Sequence, residues 1–412
     1  MSLVRPFRGL RPRPELAGKI AAPPYDVLSS DEARERVKNN PISFLRVNKP
    51  EVDFPSGSLP YGKEAYERGR ENFESLISGG HMIQDKKPCF YLYELTWKGK
   101  SEIGLVALCS LDEYQAGRIK KHERTRPDKV NDRANHMMTV KAQVGPVMLA
   151  FRTKHEIVEF FEEFSSDSPD TAFTSEEVEH KVWVIDDESS INRLKAAFAN
   201  VDYLYIADGH HRSESAAEVR RRMKESIPHH TGQESYNFFL GVIFPSDQMR
   251  ILPYNRIVSN FNGIKIDNLF ERARKNFEFN EAKVQVKPNT NDTFGLYTAG
   301  QWYQLKAKPG TFDASSLTAS ISSDILEKTF LNPVLGITDV RKDGRVDFVG
   351  GIRGLAELER LVDSGEYKMA LSVSPVTVEQ LLKVADAGEI MPTKSTWFEP
   401  KLKSGLIVHL FE

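Results

Sequence analysis

The stretch ADGHHRSESA, residues 207–216, sets an Asp-Gly turn and two adjacent histidines between an apolar run, DYLYIA, and a polar helix-like run. A strand that ends in a glycine turn before a helix aims backbone N–H groups and the positive helix end at whatever lies above it, which suits an anion. Gly209 permits a positive φ or close approach of a ligand. Arg212 can fork two hydrogen bonds onto a phosphate, and Ser213 stands where the helix is expected to begin. His210 and His211, read as lying in the turn itself, can exchange a proton near neutral pH or hold a metal. The plain alternative is a capped helix start with two solvated histidines, Asp208 being a turn residue.

A second stretch, GRIKKHERTRPDKVNDRANHM at residues 117–137, crowds carboxylates (Glu123, Asp128, Asp132) among bases (Lys120, Lys121, Arg124, Arg126, Lys129, Arg133) and imidazoles (His122, His136). That mixture suits a polyanionic ligand with a metal or a proton-transfer residue. A solvated charged loop is the alternative, but the segment follows a strand directly, so His122 and Glu123 can be aimed into a cleft. The third stretch is MPTKSTWFEPKLKSG, residues 391–405. Lys394, Ser395 and Thr396 look like the tail of a phosphate loop, yet the glycines of GxxxxGK[ST] are absent, which rules out a Walker motif. A proline-bounded loop laid over a site is expected there instead, with Trp397 and Phe398 as packing anchors.

The elements that must hold these residues read as α/β. Ser29 or Ser30 caps a helix over DEARERVKNN, a second helix spans 63–78, and SFLRVNKPE between them reads as a short strand. KPCFYLYELTWKGKSEIGLVALCSLDEY reads as a hairpin turning at residues 98–100. A helix (SSINRLKAAFAN), the strand DYLYIA, the DGHH turn, a helix and the strand FFLGVIFPS then follow, and strand-helix-strand order predicts parallel pairing. The expected organisation is one domain over residues 1–260 that binds nucleotide or phosphate, and a C-terminal α/β domain over 261–412 that contributes the MPTKSTWFEPK loop.

The 412 residues are 40% hydrophobic with a formal net charge of -2, so no global charge advertises nucleic acid or an anionic membrane. The two cysteines, Cys89 and Cys109, have neither a CxxC nor a cysteine-rich framework around them and read as buried free thiols of a reducing compartment. No run approaches the roughly 18 apolar residues of a spanning helix, and MSLVRPFRGLRPRP is too proline-rich and basic for a signal peptide, so a cytoplasmic protein is expected.

APPYDVLS, IKKHERTRPDK, ADGHHRSESA and MPTKSTWFEPKLKSGL, in that order, resemble the bacterial and archaeal family known as domain of unknown function 1015. The DGHHR turn is in addition similar to the phosphate-binding turn of the ParB/sulfiredoxin superfamily, which includes free-serine kinases. That resemblance implies a ParB/sulfiredoxin-like core in which Gly209, His210, His211 and Arg212 hold nucleotide phosphates. No basic helix-turn-helix is evident, so nucleic acid is not an expected partner.

The expectation is therefore a nucleotide-dependent phosphotransferase acting on a small hydroxyl metabolite such as free serine, with ATP or ADP as the nucleotide. Residues 208–213 would cradle phosphates, Lys121 and Arg124 would neutralise the transferring group, and Glu123 or His122 would take the hydroxyl proton. Mg2+ is expected because phosphoryl transfer generally needs it, with no ligands assigned. Two alternatives stay open: a hydrolase in which His122, Asp208, His210 and His211 hold a transition metal, and a nucleotide-binding regulator that turns nothing over.

Overall fold

The computed structural model describes residues 2–56, 62–227 and 229–411 as a mixed α/β protein. It divides into two compact units, Met1–Met249 with Pro400–Glu412, and Arg250–Glu399. The sequence suggested a single boundary near residue 260. In the structure the first unit ends earlier and takes back the chain's last residues by backbone pairing. Ala22 and Ser404 exchange hydrogen bonds of 3.0 and 2.8 Å, and His409–Leu410 runs antiparallel to Ala142–Gln143. Pairing between the two ends of a chain leaves no local sequence signature.

The first unit is built on a nine-stranded sheet. Across it lie Ile119–Lys120, Leu204–Asp208, Val147–Phe151, Phe238–Pro245, Lys100–Ser110, Phe90–Trp97, Val178–Ile185 and Thr171–Ser175, with Val4–Arg5 added beside Lys100–Ser110. The expected hairpin forms, Trp97 facing Lys100 across Lys98 and Gly99, both at positive φ. Cys89 and Cys109 are buried free thiols.

The expected parallel pairing of DYLYIA with FFLGVIFPS does not occur. Both strands flank Val147–Phe151, the first antiparallel to it and the second parallel, so they run in opposite senses. Phe238–Pro245 follows the helix His210–Ser226 and also pairs antiparallel with Lys100–Ser110. Alternation of strand and helix predicts parallel neighbours only when the connection is a simple crossover.

SFLRVNKPE is a second difference: it folds as the short helix Leu45–Asn48 and the 3-10 turn Pro50–Asp53. Phe44, Leu45 and Val47 are buried, an apolar run that serves a strand or a buried helical turn equally well. Tertiary contacts decide between them. His136 Nε2 lies 2.8 Å from the Val47 carbonyl, and Arg133 Nη1 donates to the Asn48 carbonyl at 3.3 Å, satisfying the open end of the helix. The helices over DEARERVKNN and 63–78 form as read, the first as Ser30–Val37 with a capping box between Ser29 and Glu32, the second as Lys63–Ser78.

The last strand-like return locks against this helical corner. Gly405 has φ +73, and a Cβ there would stand 2.2 Å from the ring of the buried Phe44. Left-handed backbone costs a non-glycine residue roughly 1–2 kcal/mol, and overpacking a core typically adds about 1–3. Gly405→Ala is therefore expected to lower stability by about 2–4 kcal/mol, read as a drop in the denaturant midpoint. A midpoint equal to that of the parent protein would show that Phe44 yields freely.

The second unit carries a six-stranded antiparallel sheet ordered Phe277–Ala282, Gln301–Ala307, Thr293–Thr298, Met369–Ser372, Tyr254–Val258, Val346–Gly350. Its core gathers Leu269, Phe277, Phe294, Leu305, Phe330 and Leu371.

Candidate functional site

Two short strands bring the first two charged stretches together. Ile119–Lys120 and Leu204–Asp208 pair in parallel, Leu204 opposite Ile119 and Tyr205 opposite Lys120. Parallel neighbours leave a sheet at the same edge, so Lys121, His122 and Glu123 emerge beside Asp208, Gly209 and His210. Gly209, at φ 97 and ψ 30, completes the turn alone as the N-cap of the helix His210–Ser226. The two histidines thus occupy the first helical turn rather than a loop, and the helix starts earlier than Arg212 or Ser213. One residue in the left-handed region suffices for the turn, because Arg212 and Ser213 already donate to the Gly209 carbonyl at 2.8 and 3.1 Å.

At the strand ends the imidazoles are packed and held by backbone. The rings of His122 and His210 meet edge to face with centroids 4.4 Å apart. Both are buried. The His122 amide donates to His210 Nε2 at 3.4 Å, which makes that nitrogen the acceptor and leaves the proton of neutral His210 on Nδ1. Glu123 Oε2 lies 3.7 Å from that Nδ1, and Glu123 itself is partly exposed. His211 Nε2 accepts from the Arg126 amide at 3.0 Å. Burial pulls His122 down to about 4, against the opposing pull of Ile206 and Asp208, and burial with the neighbouring His122 pulls His210 well below the ordinary histidine value. Both rings are therefore neutral at pH 7 and able to accept a proton.

Arg212 points inward. Its Nη1 donates to the Pro146 carbonyl and its Nη2 to Asp208 Oδ2 at 3.1 Å, while Nε has no partner. Asp208 is also 3.6 Å from Lys401 Nζ, so one carboxylate sits between two cations. Ser213 is buried, its hydroxyl donating to the His210 carbonyl at 3.0 Å. Beside Arg212 lies a small cavity of about 30 Å³ that Tyr25, Asn48, Arg133, His136, Gly145 and Ser404 help to line. Arg133 stacks its guanidinium over the Tyr25 ring at 4.3 Å. The buried Nδ2 of Asn48 is unpartnered, as are both ring nitrogens of His122. A buried donor left unpaired costs roughly 1–3 kcal/mol.

The remaining sequence-read residues separate into groups. Lys121 Nζ is 3.5 Å from Glu214 Oε2, and Arg124 is exposed on the loop that precedes the helix Pro127–Val140. That helix, half of what reads as a charged loop, buries Val130, Arg133, Ala134, His136, Met137 and Val140 on one face. Lys394, Ser395 and Thr396 belong to the second unit. There Lys394 takes φ +57 with Nζ 5.3 Å from the Tyr254 ring, and the Ser395 hydroxyl lies 2.7 Å from Ser323 Oγ. Among the described residues no group of three or more His, Cys, Asp or Glu side chains is arranged to hold a metal ion. His210 Nε2 and His211 Nε2 each accept a backbone N–H group.

Asn48, Tyr25, Lys401 and Ser404 line or touch this corner without having been singled out from their own chemistry. Tyr25 and Ser404 stand in the quoted stretches APPYDVLS and MPTKSTWFEPKLKSGL, so order of motifs was the available signal. Asn48 had none: its place follows from Arg133 and His136 gripping the carbonyls of a helix that the sequence presents as a strand.

Among the described residues no helix is long and apolar enough to cross a membrane. A search of curated proteins finds no match. Three solved structures resemble the chain at low identity. A free serine kinase in complex with AMP is 14% identical with a TM-score of 0.36, covering 71% of this chain and 86% of its own. A conserved hypothetical protein from Pyrococcus furiosus is 14% identical with a TM-score of 0.38, covering 73% and 93%. SbnI with a C-terminal truncation, from Staphylococcus aureus, is 10% identical with a TM-score of 0.37, covering 73% and 85%. At these values none of them assigns a role to a residue here. The family model described as protein of unknown function (DUF1015) matches residues 4–330, and the chain belongs to that family.

Proposed function

We propose that the protein binds a nucleotide, ATP or ADP, at the Asp208–Ser213 turn and transfers a phosphoryl group to a small hydroxyl metabolite such as free serine, on a ParB/sulfiredoxin-like core. The observation that carries this reading is the parallel pairing of Ile119–Lys120 with Leu204–Asp208, which sets Glu123 and the neutral His122–His210 pair at the mouth of a 17-residue helix. The N-terminus of that helix carries the positive end of its dipole, which favours phosphate oxygens. Lys121 and Arg124 add positive charge beside them.

Within this reading Glu123 takes the acceptor's proton. It is partly exposed, whereas His122 is 1% exposed and out of an acceptor's reach. His122 then acts through its amide, which fixes the His210 tautomer, and His210 Nδ1–H faces the Glu123 carboxylate and orients it. The ribose and phosphates would lie over Gly209 and His211, with Ser213 buried beneath them and holding the His210 carbonyl, and with Mg2+ carried chiefly by phosphate oxygens and water, its usual manner of binding.

The test is a thermal-shift screen against ATP, ADP, AMP and pyrophosphate, each with and without Mg2+, since a ligand held only by the folded state stabilises it by about 2.7 kcal/mol at 100 times its Kd. His211→Ala is the informative variant, because Arg212 is buried in an ion pair whose loss would itself unfold the corner. His211→Ala is expected to weaken nucleotide binding at least tenfold with the unliganded melting temperature nearly unchanged. An undiminished nucleotide shift in that variant would remove the phosphates from this turn.

A further inference from the structure

A hollow of about 540 Å³, open to solvent, lies wholly within the second unit, between residues 282–285, residues 300–301 and the helix Gly354–Asp363. Small-molecule sites run from about 300 to 1,000 Å³, so a whole small molecule has room there. Tyr297 and Trp302 form its inner wall, their rings 5.2 Å apart.

The polar side chains of the hollow are turned so that oxygen is what they have left to offer. Glu359 Oε1 accepts from Trp302 Nε1 at 2.7 Å and Oε2 accepts from Gln285 Nε2 at 2.8 Å, and each carboxylate oxygen keeps a second lone pair. Gln301 Nε2 donates to the carbonyls of Ala282 and Trp302, both at 2.8 Å. Partners that only accept fix both amides, and Oε1 of Gln285 and of Gln301 is then the atom left for an outside donor.

The charge points the same way. Glu359 is held by two neutral donors, while the arginines of its own helix segment, Arg353 and Arg360, both pair with Glu357. One turn on, Asp363 takes the Tyr297 hydroxyl at 2.9 and 3.1 Å, and among the described residues neither carboxylate has a lysine or arginine partner. Two carboxylates four residues apart repel, and Asp363 stands at the negative end of its helix, so both features cost stability unless a cation offsets them. Lys283, the single cation of the lining, is exposed and forms no ion pair among the described residues. The carboxylate is fixed and the lysine is not, and a fixed group selects its ligand at the smaller cost in ordering.

We propose that this hollow binds a small aliphatic amine, with the ammonium group seated on Glu359. An ammonium brings three N–H donors and no acceptor, which matches a carboxylate flanked by two amide oxygens. Its carbon stem lies along Ala282 and Val284, covering a valine that is otherwise 74% exposed. A bare divalent ion fits less well, since it takes several oxygen ligands and no three acidic, histidine or cysteine side chains are grouped for one among the described residues. The proposal does not depend on the phosphotransferase reading.

Calorimetric titration of the full chain at low ionic strength tests it, with butylamine against butanol, putrescine against butanediol, and butyrate as the anionic arm. Each amine is expected to bind at least tenfold more tightly than its alcohol and than butyrate. Glu359→Gln, of the same size without the charge, should lower amine affinity at least tenfold at an unchanged melting temperature. Lys283→Gln, which removes the competing charge from the rim, should raise it. Glu278→Gln, at an exposed carboxylate elsewhere in the same unit, should leave it unchanged. No binding of either amine, equal binding of the alcohols, undiminished affinity in Glu359→Gln, a loss in Lys283→Gln, or an equal loss in Glu278→Gln would each overturn the amine site, the last by showing diffuse surface attraction.

Discussion

Between pH 6.5 and pH 4 the first unit is expected to lose stability steeply. Burial lowers His122 and His136 to about 4 and His180 to about 3, and it pulls His210 well below the ordinary value. An unfolded histidine titrates near 6.5. Above that pH all four are neutral whether the chain is folded or not, and they add nothing to the pH slope. Below it the unfolded chain binds protons that the folded chain refuses, so the folding equilibrium shifts toward the unfolded state as pH falls. Each such histidine contributes about 1.4 kcal/mol per pH unit, so His122 and His136 alone give roughly 3 kcal/mol per unit until they protonate in the folded state near pH 4. Over that window the loss rivals the whole stability of a typical domain, about 5–15 kcal/mol. Chemical denaturation at half-unit steps from pH 8 to pH 4 measures it. His136→Gln, whose amide can still donate to the Val47 carbonyl, should reduce the slope by about one histidine's share. A flat profile from pH 7 to pH 5 would show that these rings take up protons without unfolding. Carboxylates held low by arginines, such as Glu218 at about 2 beside Arg221 and Arg222, lose their contribution only at lower pH and do not blur the window.

The same buried histidines mark how far the sequence could be read. Glycine at 209 and its flanking strand and helix were legible because a positive-φ turn and two periodic runs are local features. Charge and chemistry suggest that the two stretches work together, but nothing in the sequence points to the pairing of Ile119 with Leu204 that sets them side by side. The fate of each histidine was not legible at all. His122, His136, His180 and His210 carry the same side chain as exposed His155, and only tertiary packing decides which is buried. In the sequence Arg212 suggests a phosphate fork, and nothing near it hints that Pro146 and Asp208 take two of its nitrogens. Asn48 was hidden for the opposite reason, since its apolar neighbours Phe44, Leu45 and Val47 fit a strand until Arg133 and His136 choose the helix.

Replacing Glu123 by glutamine is expected to reduce phosphoryl transfer by about 10²–10⁴-fold, the usual worth of a positioned general base. The amide keeps the size of the side chain and can place its carbonyl oxygen where Glu123 Oε2 stands, 3.7 Å from His210 Nδ1, so the corner keeps its shape. Nucleotide binding should persist, because in the proposed arrangement the phosphates would lie on the helix N-terminus and not on this carboxylate, and the loss should fall on kcat rather than KM. The comparison with His122 makes the prediction sharp. His122→Gln alters a buried ring whose amide still fixes His210, so its effect on kcat should be smaller than that of Glu123→Gln at the same melting temperature. Steady-state rates with ATP or ADP and a hydroxyl acceptor decide between them. If the order is reversed, so that His122→Gln abolishes transfer and Glu123→Gln retains it, the proton leaves through the buried imidazole pair, and the acceptor must reach deeper than the surface carboxylate allows.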